Sequence, residues 1–122
     1  MARVTVPINT VPPNGTGLNN LTFVAADATS DHEFDNDGAT LLVVKNTGVG
    51  VGTVTVVSVT DPYGRTKDTT LTIPALTGSD PGLAVAGPFL PAIWNQAGAK
   101  VFVDLTTATG LSLAAVRMSL PR

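Results

Sequence analysis

The sequence predicts an all-β protein: a single antiparallel β-sandwich or small barrel of about eight short strands, with a proline-rich N-terminal arm. Threonine and valine together supply 34 of the 122 residues, and both are β-branched types that favour strands. Apolar and polar residues alternate with a period of two, and no stretch of ten residues has a convincing helical period. Short turns join the alternating segments at a spacing typical of antiparallel sandwiches and barrels.

Each predicted strand ends at a turn signal or a proline. Pro7 places the first strand at a sheet edge, because proline has no backbone N–H to donate. Residues 40–46 (TLLVVKN) are apolar almost throughout, which is typical of a strand buried on both faces. Residues 100–106 alternate cleanly between an apolar and a mixed side. The predicted strands are residues 3–8, 21–26, 40–46, 53–60, 68–73, 83–89, 100–106 and 111–120.

The chain divides into residues 1–20, an N-terminal strand with an extended arm, and residues 21–122, the sandwich domain. Residues 9–20 (NTVPPNGTGLNN) contain two prolines and two glycines, which favours an arm or a long loop. We expect residues 27–38 to form an acidic, polar loop. Residues 91–98 favour a single helical turn within this otherwise β-rich chain.

Composition excludes several classes of protein. The chain has no cysteine, which removes disulfide scaffolds, thiolate metal sites and cysteine nucleophiles. Its net charge of −2 gives no general attraction to nucleic acid or to anionic lipid, so we expect neither partner. Four prolines interrupt the long apolar stretch of residues 69–99, so we expect no transmembrane helix there. No apolar signal segment follows Met1.

The acidic residues 27–37 contain five carboxylates and the only histidine, His32. Residues 33–38 resemble the opening of a helix–loop–helix calcium site, but the twelfth position is Val44 instead of glutamate. A solvated acidic turn is the favoured interpretation, and cation binding stays an alternative. We predict that His32 is an exposed loop residue, because no nucleophile pattern or second metal ligand accompanies it.

The remaining motifs contain no catalytic set. The glycine run of residues 48–52 lacks the spacing and the lysine of a phosphate loop, so we interpret it as a hairpin connection. The spacing of the carboxylates does not support an acid–base pair, and a domain of this size rarely encloses a sugar cleft. The sequence therefore predicts that the protein is not an enzyme and has no cofactor and no resident metal.

Apolar side chains gather in residues 87–95 (GPFLPAIWN), between two prolines and outside any clean strand. Rigid aromatic groups of this kind either close the end of a sandwich core or anchor an interface. Both alternatives stay open, and the arm is a second candidate for contacts. The candidate interface residues are Val11, Pro12, Pro13 and Leu18 of the arm with Phe89, Leu90, Ile93 and Trp94 of this segment.

The order of motifs between Phe34 and Met118 resembles that of small virion proteins of tailed bacteriophages, the head decoration or cement proteins. The shared motifs are N-D-G-x-T at residues 36–40, V-x-N at residues 44–46 and G-P-F-x-P at residues 87–91. A Thr/Val hairpin lies between the second and third of these motifs. Two apolar closing strands follow the third.

This resemblance implies a β-sandwich or small-barrel module on the outer surface of the expanded capsid, made in the host cytoplasm. Its partners would be the phage major capsid protein and further copies of the chain, with a trimer favoured, and it would carry no catalytic residues. Each copy would bridge capsid subunits and so stabilise the expanded shell. The alternatives are a neck, tail or fibre component of the virion, and a carbohydrate-binding or adhesin β-sandwich using Tyr63 and Trp94.

Overall fold

Ten strands and one short helix are found in the computed structural model, which describes residues 3–11, 15, 17, 20–60, 62–65 and 67–118. The strand bounds lie close to the predicted ones in the central part of the chain. The elements in chain order are β1 (Val4–Thr5), β2 (Ile8–Val11), β3 (Val24–Ala25), β4 (His32–Asp35), β5 (Thr40–Asn46), β6 (Gly52–Val57), β7 (Thr69–Ile73), β8 (Gly82–Ala86), α1 (Pro91–Trp94), β9 (Lys100–Leu105) and β10 (Leu111–Met118).

The strands form two sheets of five. The first sheet has the order β1-β4-β9-β6-β7, and the second has the order β2-β10-β5-β8, with β3 also paired to β10. β1 runs parallel to β4 and β2 parallel to β10, whereas the other described pairs are antiparallel. The all-β prediction is confirmed. The sheets are mixed instead of antiparallel, and they resemble a sandwich and do not close into a barrel.

The core lies between the inward faces of the two sheets. On β9, Val101 and Val103 are fully buried and Leu105 is nearly so, which confirms the predicted alternation of this strand. Opposite them, Leu42 and Val44 of β5 are also fully buried. Each such aliphatic side chain contributes roughly 1.5–3 kcal/mol relative to an exposed one. The side chains of these central strands therefore hold the two sheets together.

Strand β5 is buried on its inward face and partly covered on its outward face, where Leu41 and Lys45 are half-buried, so the prediction of burial on both faces holds in part. Leu42 and Val44 belong to the core cluster, while Val43, on the opposite face of the sheet, is only 2% exposed. β5 lies between β10 and β8 in the second sheet. A central position with cover on both faces explains why this segment lacks the alternation of a half-exposed strand.

The N-terminal strand predicted over residues 3–8 is two strands that belong to different sheets. Pro7 lies between β1 and β2, and its carbonyl accepts the N–H of Ala115 at 2.9 Å. Residues 9–11, expected in the arm, continue β2 along β10. The alternation of Val4 and Val6 is correct for a strand, but period alone does not indicate where a chain changes sheets.

The acidic residues predicted as a loop contain a strand, β4. Within it, His32 and Phe34 are fully buried, whereas Glu33 and Asp35 point away from the core. The prediction of a loop is wrong for these four residues, because the sequence HEFD alternates with a period of two despite its two carboxylates. β4 lies between β1 and β9 in the first sheet.

Candidate binding surface at one end of the sandwich

The strand register brings three loops together at one end of the sandwich. β4 ends at Asp35, opposite Lys100 at the start of β9. β6 ends at Val57, opposite Phe102 near the start of the same strand. β8 ends at Ala86, close to the start of β5. The loops that follow β4, β6 and β8 therefore leave the sheets on the same side.

The aromatic loop, residues 87–95, closes the core at this end. Phe89 is only 3% exposed, and its ring centroid lies 6.0 Å from that of Phe34 and 5.4 Å from that of Trp94. The next residue, Leu90, is 63% exposed. Ile93 and Trp94 are half-buried. Phe89 thus closes the end of the core, while Leu90 projects from the loop into solvent.

Hydrogen bonds from two other loops fix the aromatic loop in place. Asn36 is only 6% exposed, and its Nδ2 donates to the carbonyl of Phe89 at 2.9 Å and to Oδ1 of Asn95 at 2.6 Å. The N–H of Val59 donates to the carbonyl of Ile93 at 2.7 Å. A loop fixed in this way loses little conformational freedom when it binds a partner, which favours affinity.

A groove of about 290 Å³ lies between the aromatic loop and the loop after β6. Most of its lining is apolar, and two cationic side chains stand among the lining residues. Beside it, Tyr63 is 83% exposed and lies 5.2 Å below the guanidinium of Arg65. The lining residues are Val59, Thr60, Pro62, Arg65, Lys67, Ala92 and Ile93.

Sequence reasoning missed this groove, although it found both of its walls separately. The turn around Gly64 and the basic residues after it are visible in the sequence, as is the apolar segment of residues 87–95. Their closeness follows from the pairing of β6 with β9 and from the hydrogen bond between residues 59 and 93. No local pattern encodes such a long-range register.

The arm residues of the candidate interface are only partly described. Val11 is half-buried, ends β2 and lies opposite Met118 in the register of β10. Pro12, Pro13 and Leu18 lie outside the described residues. Their part in an interface stays a prediction.

The first carboxylates of the acidic residues bind backbone N–H groups. The carboxylate of Asp27 accepts the N–H groups of Ser30 at 3.0 Å and of Thr29 at 2.9 Å, and these bonds hold the pKa of Asp27 below its usual value. Oδ1 of Asp31 accepts the N–H of Leu105 at 3.0 Å. Both side chains therefore shape the turn between β3 and β4.

The later carboxylates pair with neighbouring strands and loops. Nζ of Lys100 binds Asp35 and lies 3.8 Å from Glu33, and the hydrogen bond that Lys100 donates to Asp35 raises the pKa of Lys100. The carboxylate of Asp37 accepts the N–H of Ala39 at 2.9 Å, which lowers the pKa of Asp37. Within the described ranges, no three acidic or histidine side chains form a group suited to a metal ion.

His32 is fully buried in β4, so the prediction of an exposed loop histidine is wrong. Its Nε2 accepts the N–H of Asp27 at 2.9 Å, and its Nδ1 lies 3.2 Å from the carbonyl of Val4. Both ring nitrogens thus have backbone partners, which is the usual condition for burying a polar ring. The imidazole joins β1 to the turn before β4.

The glycine run lies at the opposite end of the sandwich, where it connects β5 to β6. The carbonyl of Gly48 accepts the N–H of Leu76 at 2.9 Å, and a strand follows the run instead of a helix. Val49 is 95% exposed and Val51 is 66% exposed. This end therefore also presents apolar side chains, on a loop that the buried Asn46 holds by accepting the N–H of Gly48 and donating to the carbonyl of Gly50, both at 2.8 Å.

The described part of the chain has no helix with the length and hydropathy needed to cross a membrane; α1 has four residues. No family model, no curated protein and no solved structure matches the chain.

Proposed function

We propose that this protein is a structural virion protein, a decoration or cement protein that binds the outside of a tailed-phage head and bridges major capsid subunits. One observation carries the proposal: Leu90 is 63% exposed on a loop whose preceding residue, Phe89, is locked in the core. A pre-formed apolar projection of this kind is suited to docking. The motif order, which resembles that of head decoration proteins, supplies the class of partner.

In this proposal the aromatic loop and the adjacent groove contact the capsid protein. Leu90 inserts into the partner, and the half-buried Ile93 and Trp94 widen the apolar contact around it. Fully burying a leucine side chain contributes about 1.5–3 kcal/mol. Because the partner surface exists only on the expanded shell, binding stabilises that state by mass action, copy by copy.

The proline-rich segment that begins at the end of β2, residues 11–20, has a second role in the same proposal. Val11, Pro12, Pro13 and Leu18 contact a neighbouring copy or the shell, so that copies associate side by side, with a trimer favoured. Prolines restrict the arm in solution, which lowers the entropy lost when it binds. The low net charge of −2 keeps repulsion between neighbouring copies weak.

The test compares Leu90→Asp with Val49→Asp in binding to purified expanded capsid shells. Both substitutions place a carboxylate on a highly exposed apolar position, but at opposite ends of the sandwich. We expect Leu90→Asp to weaken binding by about tenfold or more, since about 1.4 kcal/mol is a factor of ten. Val49→Asp should bind like the wild type. Sedimentation of shells with labelled protein measures both.

Four outcomes would contradict parts of the proposal. Equal binding of both variants would remove the aromatic loop from the interface, and loss with Val49→Asp alone would move the interface to the other end. Labelled protein found at the neck or tail of intact particles would replace the head by the alternative virion location. Binding to a glycan array, with no binding to shells, would favour the carbohydrate-binding alternative.

A further inference from the structure

Residues 3–11, the N-terminal segment, make both parallel strand pairs found in the described chain. β1 pairs with β4, with Val4 opposite His32, and β2 pairs with β10, with Ile8 opposite Ala115. β1 is the edge strand of the first sheet, and β2 lies at the edge of the second. The segment thus closes one side of the sandwich by joining both sheets at their edges.

The site that receives this segment is specific for its side chains. Val6 is fully buried in the core, and its N–H donates to the carbonyl of Glu33 at 2.8 Å. The guanidinium of Arg3 lies 2.6 Å from the carboxylate of Asp104 and 4.0 Å above the ring of Phe102. The site therefore accepts a segment with a cation, as at Arg3, and an apolar residue three positions later, as at Val6. The same segment of another copy of this chain has both residues.

No hairpin ties the segment to its receiving strands. Parallel strands cannot be joined by a tight turn, and β10 lies at the far end of the chain from β2. The connector between this segment and the rest of the chain, residues 12–21, ends at Thr22, whose N–H donates to Oδ1 of Asn9 at 2.8 Å. The intervening residues 12–21 span about 33–36 Å when extended, whereas a domain of this length has a radius of gyration of about 14 Å.

From these observations we infer that residues 3–11 exchange between neighbouring copies, each copy receiving the segment of the next. A second copy of this chain is the occupant, since the exchanged segment makes the same contacts with the partner's β4 and β10 as within one chain. The inference goes beyond the proposed function, because it needs a neighbouring copy and no shell. High protein concentration then favours the exchanged form, and low concentration favours the form in which each chain keeps its own segment.

Two single-cysteine variants test the exchange, which the cysteine-free sequence makes simple. Thr5 is exposed and lies opposite Glu33 in the register of β1 and β4. Thr5→Cys and Glu33→Cys chains are refolded together at millimolar concentration and oxidised with glutathione disulfide. We expect a disulfide-linked pair of one chain of each kind, with its mass shifted from 12.4 kDa to that of two chains.

The matched control replaces Thr5→Cys by Thr72→Cys, an exposed position on the edge strand β7. A linked pair well above this control supports the exchange, whereas the same yield in both mixtures overturns it. The double variant Thr5→Cys/Glu33→Cys gives a second measurement, with circular dichroism to check folding. A disulfide that closes within single chains at every concentration also overturns the inference, and leaves shell binding unaffected as a separate question.

Discussion

The backbone groups around the ring of His32 favour a neutral imidazole in the folded chain at neutral pH. Because its Nε2 accepts the N–H of Asp27, the proton lies on Nδ1, which faces the carbonyl of Val4. Burial lowers the pKa of His32 below its usual value of 6.5, although the carbonyl of Val4 and the carboxylates of Asp27 and Asp31 oppose this effect. Protonation would break the bond from Asp27 and leave a charge inside the sandwich.

Stability should therefore fall as the pH drops below about 6.5, where an unfolded histidine takes up a proton that folded His32 does not. Urea unfolding at several pH values between about 7.5 and 5 measures this slope. The carboxylates of Asp27 and Asp37 stay ionised in that range, since their pKa values are lowered. His32→Gln should be less stable at neutral pH and lose most of the slope; equal slopes would contradict the assignment.

Asn36 is expected to fix the aromatic loop. Asn36→Ala leaves the carbonyl of Phe89 and the N–H of Gly38 without their partner, at a cost of about 1–3 kcal/mol. Emission of Trp94, the only tryptophan, should shift to longer wavelength as the loop loosens. Asn20→Ala, at an exposed position, is the control. An unchanged spectrum and unfolding midpoint in Asn36→Ala would refute this role.

The candidate site could be predicted from the sequence only as a segment. The prolines and apolar residues of the aromatic loop mark it as unusual, but they do not tell which side chain faces outward. Phe89 turns inward because Phe34 packs against it and Asn36, 53 residues earlier in the chain, binds its carbonyl. The exposure of Leu90 is a consequence of those distant contacts.

At the scale of elements, the sequence predicts those strands whose pattern of apolar and polar residues matches the burial of their two faces. β5 is apolar almost throughout because its inward face is buried and its outward face is partly covered. β9 alternates because only its inward face is buried. β4 was missed because its outward positions carry carboxylates that suggest a loop. β2 was missed because its partner β10 is far away in the chain, and a parallel partner leaves no turn signal.

The start of β8 should be sensitive to any added side chain. A Cβ on Gly82 would overlap the backbone carbonyl of Pro74, so Gly82→Ala must displace one of the two chain segments. We expect a loss of about 1–3 kcal/mol or more in the free energy of unfolding. Gly50→Ala, with no atom within 4 Å of its added Cβ, should change it by less than about 0.5 kcal/mol. Similar urea midpoints for both variants would contradict this packing.

At the scale of the whole molecule, the N-terminal segment adds a link between the two sheets at their β4 and β10 edges. Deleting residues 1–11 removes Val6 from the core and exposes the edges of β4 and β10. We expect a lower unfolding temperature and aggregation, because open strand edges pair with other chains. Circular dichroism during heating measures the midpoint, and an unchanged value would contradict this role.

A peptide of residues 1–11 gives that prediction its control. Refolding the shortened chain with the peptide should restore the unfolding temperature, since the same side chains then fill the core and cover both edges. The peptide with Val6→Asp should not restore it, because a carboxylate would occupy a fully buried position. Equal rescue by both peptides would show that backbone pairing alone holds the segment.

The pairing of β2 with β10 also sets an order of events on the ribosome. Ile8 emerges roughly 5–20 seconds before its partner Ala115, at about 5–20 residues per second. Until then the nascent chain carries Val6 and Ile8 without their final cover, in reach of chaperones and of other nascent chains. β2 therefore reaches its native partner late, whereas β1 can pair with β4 soon after β4 emerges.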